Sequence, residues 1–172
     1  ATFSSDKALD FTNVTDISAY IATSIDDNHN LVMTKVTGAV PASTGLLLKG
    51  TVGTAVTTTI PVAVSATAPT TNYFVATVAA TDVAASTAST YHYFLMNGTK
   101  GIGFYNLDAA KESAAGKAYL ETTSALATAS TASPINMIFN DGSTTTGINT
   151  VNTVQQASNK IYDLCGQEVS AP

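Results

Sequence analysis

The chain has 172 residues and carries 12 acidic against 7 basic side chains, a net charge of −5. Every basic residue is a lysine, so the clustered basic side chains that grip phosphates and read guanine edges are missing, which argues against a nucleic-acid partner. Hydrophobic residues reach 45%, enough to bury a core, and charged ones only 11%; Ala, Thr, Ser, Val and Asn take the place of the missing charged residues, and small, β-branched and hydroxylic residues suit pleated surfaces and turns better than long helices.

A single cysteine, Cys165, excludes an internal disulfide. With no C-x-x-C pair, structural zinc is disfavoured and no cofactor is implied. No apolar run approaches the roughly 20 residues that span a bilayer as a helix. The opening ten residues are polar and acidic, unlike a signal peptide. The expectation is therefore either a cytosolic protein or a processed or cut chain, and the C-terminal residues favour the second.

Taken in order, residues 8–12 read as a short strand or its approach. Residues 17–24 (ISAYIATS) alternate Ile17, Ala19, Ile21 and Thr23 with Ser18, Tyr20 and Ala22, as in a half-buried strand. The run Asp26-Asp27-Asn28-His29-Asn30 is a turn signal, because short polar side chains bond to nearby backbone. Residues 31–36 return as a strand, giving a hairpin. Residues 37–44 turn a corner through Pro41, and 45–49 are a compact core strand. Residues 54–64 favour strand with Pro61 at an edge or bulge, 66–71 are loop, and 72–78 (NYFVATV) are a strand. Residues 79–90 lack an apolar period and read as loop with at most one turn.

Residues 91–96 (YHYFLM) and 101–107 flank Asn97-Gly98-Thr99-Lys100, a hairpin in which Asn-Gly would supply the positive φ angles of a tight turn. Residues 108–116 could form one helical turn or a loop, and 117–121 a strand. The low-complexity stretch 122–133 reads as surface loop. Residues 135–139 (INMIF) read as a last core strand and 161–169 (IYDLCGQEV) return to strand character.

Two stretches match. Residues 31–50 (LVMTKVTGAVPASTGLLLKG) and 103–122 (GFYNLDAAKESAAGKAYLET) both read as strand, polar corner and strand. Ala42 aligns with Ala114, Leu48 with Leu120 and Lys49 with Glu121, each 72 residues apart. The expected fold class is thus all-β, an antiparallel β-sandwich with an internally duplicated hairpin–corner–strand unit. The expected organisation is a β-sandwich domain over residues 1–142, a linker over 143–160 and a truncated C-terminal segment over 161–172.

The corner Val40-Pro41-Ala42-Ser43-Thr44-Gly45-Leu46-Leu47-Leu48-Lys49 resembles a motif recurring in secreted and surface proteins of gut and oral Bacteroidetes. So do Gly101-Ile102-Gly103-Phe104-Tyr105, Ala115-Gly116-Lys117-Ala118-Tyr119-Leu120 and Thr146-Gly147-Ile148. The tail Ile161-Tyr162-Asp163-Leu164-Cys165-Gly166-Gln167-Glu168-Val169 is similar to the start of their C-terminal sorting segment. Ser113 departs from the pattern, standing where the second corner usually has proline. The resemblance implies a C-terminal β module of larger adhesin-like or leucine-rich-repeat surface proteins, secreted or displayed on the outer cell surface, whose tail engages secretion machinery. It implies no particular ligand.

The candidate chemistry is sparse. His29 lies in a turn cluster and His92 between two tyrosines; each reads as a solvated or core histidine or as a catalytic base, and no Gly-x-Ser-x-Gly elbow favours the second. Glu112, Glu121 and Glu168 lack the aromatic setting of a glycosidase carboxylate pair. Asp26, Asp27 and Asn28, and Asn140-Asp141-Gly142, offer oxygen ligands for calcium but not EF-hand spacing. Tyr91, Tyr93 and Tyr105 form either an exposed tyrosine strip for a glycan or aromatic packing across strands. Cys165 reads as a small strand residue or a thiol nucleophile. The expected function is a non-catalytic module supporting adhesion or binding to a host or dietary glycan or a surface protein. The alternatives are an accessory domain on a secreted hydrolase and a structural spacer or assembly subunit.

Overall fold

A computed structural model describes residues 1–50 and 58–141, with the backbone of 161–162 and 168–169. Every regular element among these residues is a strand. The first compact unit spans residues 1–142. Its strands are β1 (Thr2–Phe3), β2 (Leu9–Asp10), β3 (Ile17–Ile25), β4 (Leu31–Lys35), β5 (Ala39–Val40), β6 (Leu46–Gly50) and β7 (Phe74–Thr77). They continue with β8 (Thr81–Val83), β9 (Tyr91–Gly98), β10 (Gly101–Asn106), β11 (Lys111–Ser113), β12 (Lys117–Thr122) and β13 (Met137–Asn140). In the second unit, residues 143–172, β14 (Ile161–Tyr162) and β15 (Glu168–Val169) pair antiparallel. The expected linker at 143–160 and much of the tail lie outside the described residues.

Two sheets organise the first unit. One has the order β1-β6-β3-β4-β13 and the other β10-β9-β12-β7. The order β1-β6-β3-β4 recurs as β7-β12-β9-β10, so the duplication seen in the sequence extends over two whole half-domains. The residue alignment needs a correction. Tyr20 pairs with Leu47 in the first sheet, and Tyr93 pairs with Leu120 in the second. Leu47 and Leu120 both enter the same core cluster, whereas Leu48 packs against a different one. Leu47, not Leu48, is therefore the counterpart of Leu120; a slip of one residue in a strand moves a side chain to the other face.

The main cluster takes Tyr20, Ala22, Leu31, Met33 and Leu47 from the first sheet and Phe74, Tyr93, Phe104, Ala118 and Leu120 from the second. Each large side chain fully removed from water contributes roughly 1.5–3 kcal/mol. Two short ribbons cover the sheets' other faces. The β2–β5 ribbon sets Leu9 and Val40 against Ala19 and Leu46. The β8–β11 ribbon sets Val83 in a cluster with Phe94, Leu107 and Tyr119. Strand β3 is consequently buried on both faces, not half-buried as its alternation suggests.

Several local expectations change. The β9–β10 turn falls at Thr99-Lys100: Gly98 pairs with Gly101, and Gly101 takes the positive φ of 94°. Gly98 has a different role, since a Cβ there would lie 2.5 Å from the Tyr105 ring. Corner residues 37–44 and the expected loops at 79–90 and 108–116 contain the ribbon strands β5, β8 and β11. The described part of 54–64 carries only the isolated bridge between Val62 and Leu9. Finally, β13 pairs parallel with β4, so the larger sheet is not antiparallel throughout.

The passage from one half to the other is held by Asn72. Its carboxamide oxygen accepts from the backbone N–H groups of Ala22 (3.2 Å) and Phe74 (3.1 Å), and its nitrogen donates to the Gly45 carbonyl (2.8 Å). Here the chains approach too closely for a side chain on Gly45, whose added Cβ would lie 2.7 Å from the Phe74 Cβ. We therefore expect Gly45→Ala to cost about 1–3 kcal/mol through overpacking. Gly38→Ala is the control, because nothing lies within 4 Å of its added Cβ. Urea unfolding of the two variants checks the difference; equal midpoints would refute the close approach.

Candidate functional site

The three tyrosines do not form an exposed strip. Tyr93 and Tyr105 are each 0% exposed. They also face opposite ways, because Tyr93 pairs with Asn106 while Tyr105 pairs with Phe94. Both hydroxyls are used inside the fold: Tyr93 Oη accepts from the Leu126 N–H at 3.0 Å, and Tyr105 Oη donates to the Gly101 carbonyl at 2.7 Å. Burial pushes the Tyr93 phenol up from its ordinary range. Only Tyr91 stays partly exposed, its hydroxyl 3.5 Å from the Ala88 carbonyl. Tyr93→Phe strands a buried N–H and should lower stability by about 1–2 kcal/mol, while Tyr91→Phe should stay within about 0.5 kcal/mol. Thermal melts of the pair check this.

The Asp26 loop is organised by its own carboxylate. Oδ1 accepts from the Asn28 N–H (3.0 Å) and the Asn30 N–H (2.7 Å), and Oδ2 accepts from the Asn30 carboxamide (3.0 Å). His29 takes a left-handed φ of 59° within the turn. Asp27 takes no part in these bonds. The bonds from Asn30 are the main cause holding the Asp26 carboxyl below the ordinary aspartate range, with Asn28 adding to them. A lowered carboxyl favours the folded state at neutral pH, and that contribution fades as pH falls through its folded value. In an NMR acid titration Asp26 should thus titrate below a random-coil aspartate, and Asp26→Asn should flatten that part of the pH–stability curve. Titration at the random-coil value would contradict the turn geometry.

His92 and Glu121 face one another across β9 and β12. The ring is clasped on both sides, Nδ1 lying 2.9 Å from the Ala84 carbonyl and Nε2 3.2 Å from a Glu121 carboxylate oxygen. Tyr119 packs edge-on at 5.6 Å. The ring's bonds are with the Ala84 carbonyl and the Glu121 carboxylate rather than with a hydroxyl or thiol that could serve as a nucleophile. The nearby Ser86 hydroxyl lies at the His92 backbone and the Asn106 side chain instead. Its geometry serves to fasten the segment after β8 onto the sheet. Ser113, the departure from the corner pattern, is buried and bonded to the Thr77 hydroxyl at 2.8 Å.

A polar concavity of about 350 Å³ lies where β3 begins and β4 and β6 end. It is lined by Thr15, Asp16, Ile17, Ser18, Tyr20, Lys35, Lys49, Gly50 and Asp141. Tyr20 keeps its ring in the main cluster and donates its hydroxyl to Asp141 Oδ1 at 2.6 Å. Burial first, and the Asp141 bond second, push the Tyr20 phenol up, so it remains a proton donor into alkaline solution. Phe139 stands edge-on to Tyr20 at 5.0 Å, and the Lys49 ammonium sits 4.7 Å from the centre of the Phe139 ring. The two lysines and two aspartates here come from four separate stretches, so no motif in the sequence announces them. The one available signal is scarcity: in a chain with seven lysines, two bracket the 31–50 unit's corner.

Comparison of the chain with protein-family models, with curated proteins and with solved structures finds no match.

Proposed function

We propose that this chain is a non-catalytic module of a surface-exposed or secreted bacterial protein, and that it supports adhesion or binding. The observation that carries the reading is the place of the two corner motifs on which the Bacteroidetes resemblance rests. They lead into β6 and β12, which hold equivalent positions in the two sheets. The resemblance thus falls on a repeated structural unit rather than on scattered residues. The His92 and Asp26 side chains are occupied by the fold's own groups, which supports the non-catalytic part of the reading.

The lysine- and aspartate-lined concavity is the surface through which binding would act. It presents separated donors and acceptors, as a hydroxyl-rich ligand such as a host or dietary glycan requires. The test is a glycan and surface-protein array probed with the labelled chain. Saturable binding to a defined subset is expected, and substitution of Lys35 and Lys49 should change it. Absence of binding at about 100 μM, above the micromolar range of weak specific recognition, would overturn the reading in favour of a spacer or assembly subunit.

A further inference from the structure

We infer that the concavity where β3 begins and β4 and β6 end takes the carboxylate of an acidic sugar, a uronic acid, between Lys35 and Lys49; this deepens the binding reading above and rests on it. The duplication provides an internal comparison. Lys35 pairs with Tyr20 where, in the other half, Asn106 pairs with Tyr93. Lys49 pairs with Ser18 where Thr122 pairs with Tyr91. The strands therefore fold and pair without charge at these positions, so strand pairing does not require the lysines.

Their surroundings narrow the ligand. Although Asp16 and Asp141 line the same concavity, the ion pairs among the described residues are Lys7–Asp6 and His92–Glu121. No described carboxylate lies within ion-pair distance of either groove ammonium, and the Lys49 ammonium is positioned over Phe139. Two cations suit one carboxylate. The two rim acids oppose a doubly charged phosphate more strongly than a singly charged carboxylate and accept hydrogen bonds from sugar hydroxyls, so charge discriminates by repulsion as well as attraction. The Ser18 hydroxyl adds a donor or acceptor on the same rim. A volume of about 350 Å³ falls at the small end of ligand pockets and accommodates a single sugar ring.

The experiment titrates the full chain with trigalacturonic acid, and separately with neutral galactotriose, monitored by NMR amide shifts. Saturable shifts centred on Ser18, Tyr20 and Lys49 are expected with the acidic sugar. Lys35→Gln/Lys49→Gln should weaken its binding about tenfold, the effect of removing two exposed ion pairs, while Lys100→Gln leaves it unchanged. Raising salt from about 50 to 500 mM should also weaken wild-type binding several-fold, a readout independent of any variant's folding. Equal binding of the acidic and neutral sugars, salt-insensitive binding, or no saturable shift in the groove would overturn the inference. Array binding with a silent groove removes this inference and leaves the general reading standing; a blank array together with a silent groove removes both.

Discussion

Each sheet of the first unit carries apolar side chains on both faces, and the contact that covers the inner ones is the cluster built around Tyr20, Leu31, Met33, Phe104 and Leu120. Strands from both half-domains supply it, so neither half can hide its apolar surface alone. The Asn72 carboxamide fixes the alignment of the halves by bonding to backbone on both sides of the passage between them. The outer ribbons are a second consequence. Once β3 and β9 bury their inner faces, Ala19 and Ile21 on one sheet and Phe94 on the other still need cover. Strand pairs of two and three residues provide it.

The two halves share a plan and differ in chemistry. Counterparts Tyr20 and Tyr93 both keep a ring in the core, but one hydroxyl donates to a carboxylate and the other accepts from a buried N–H. Beside Tyr93, the chain after β12 folds back, with Thr122 bonding to the Ser124 carbonyl and Asn106 to the Ser130 carbonyl. Beside Tyr20 stand the charged groups of the concavity. Duplication supplies a tolerant frame, and divergence at a few strand ends supplies the difference between a packed corner and an open, charged concavity.

The all-β class was legible from alternation in ISAYIATS and YHYFLM and from turn chemistry at Asp26 and near Gly98. What escaped was a matter of length and distance. Strands of two or three residues such as Ala39–Val40 and Thr81–Val83 carry no measurable period, and they exist because a sheet face lies beneath them. The repeat was visible, but its register was one residue out, because a run of three leucines cannot say which of them faces inward. The tyrosine face was misread because strand alternation places Tyr105 beside Phe94, not beside Tyr93. The concavity was invisible for a different reason. Ser18, Lys35, Lys49 and Asp141 meet only after the sheet has formed.

Strand β13 has one more implication. It lies next to β4 although the whole second half-domain separates them along the chain. Between them, residues 130 and 135 bond to the edge of β10 through the Ser130 carbonyl and the Ile135 N–H. Such a join raises contact order, and the entropy of closing so large a loop falls due before the pairing returns anything. The first sheet should accordingly be finished last. An emerging chain would hold this sheet incomplete until β13 arrives, which makes the order of synthesis part of the folding problem.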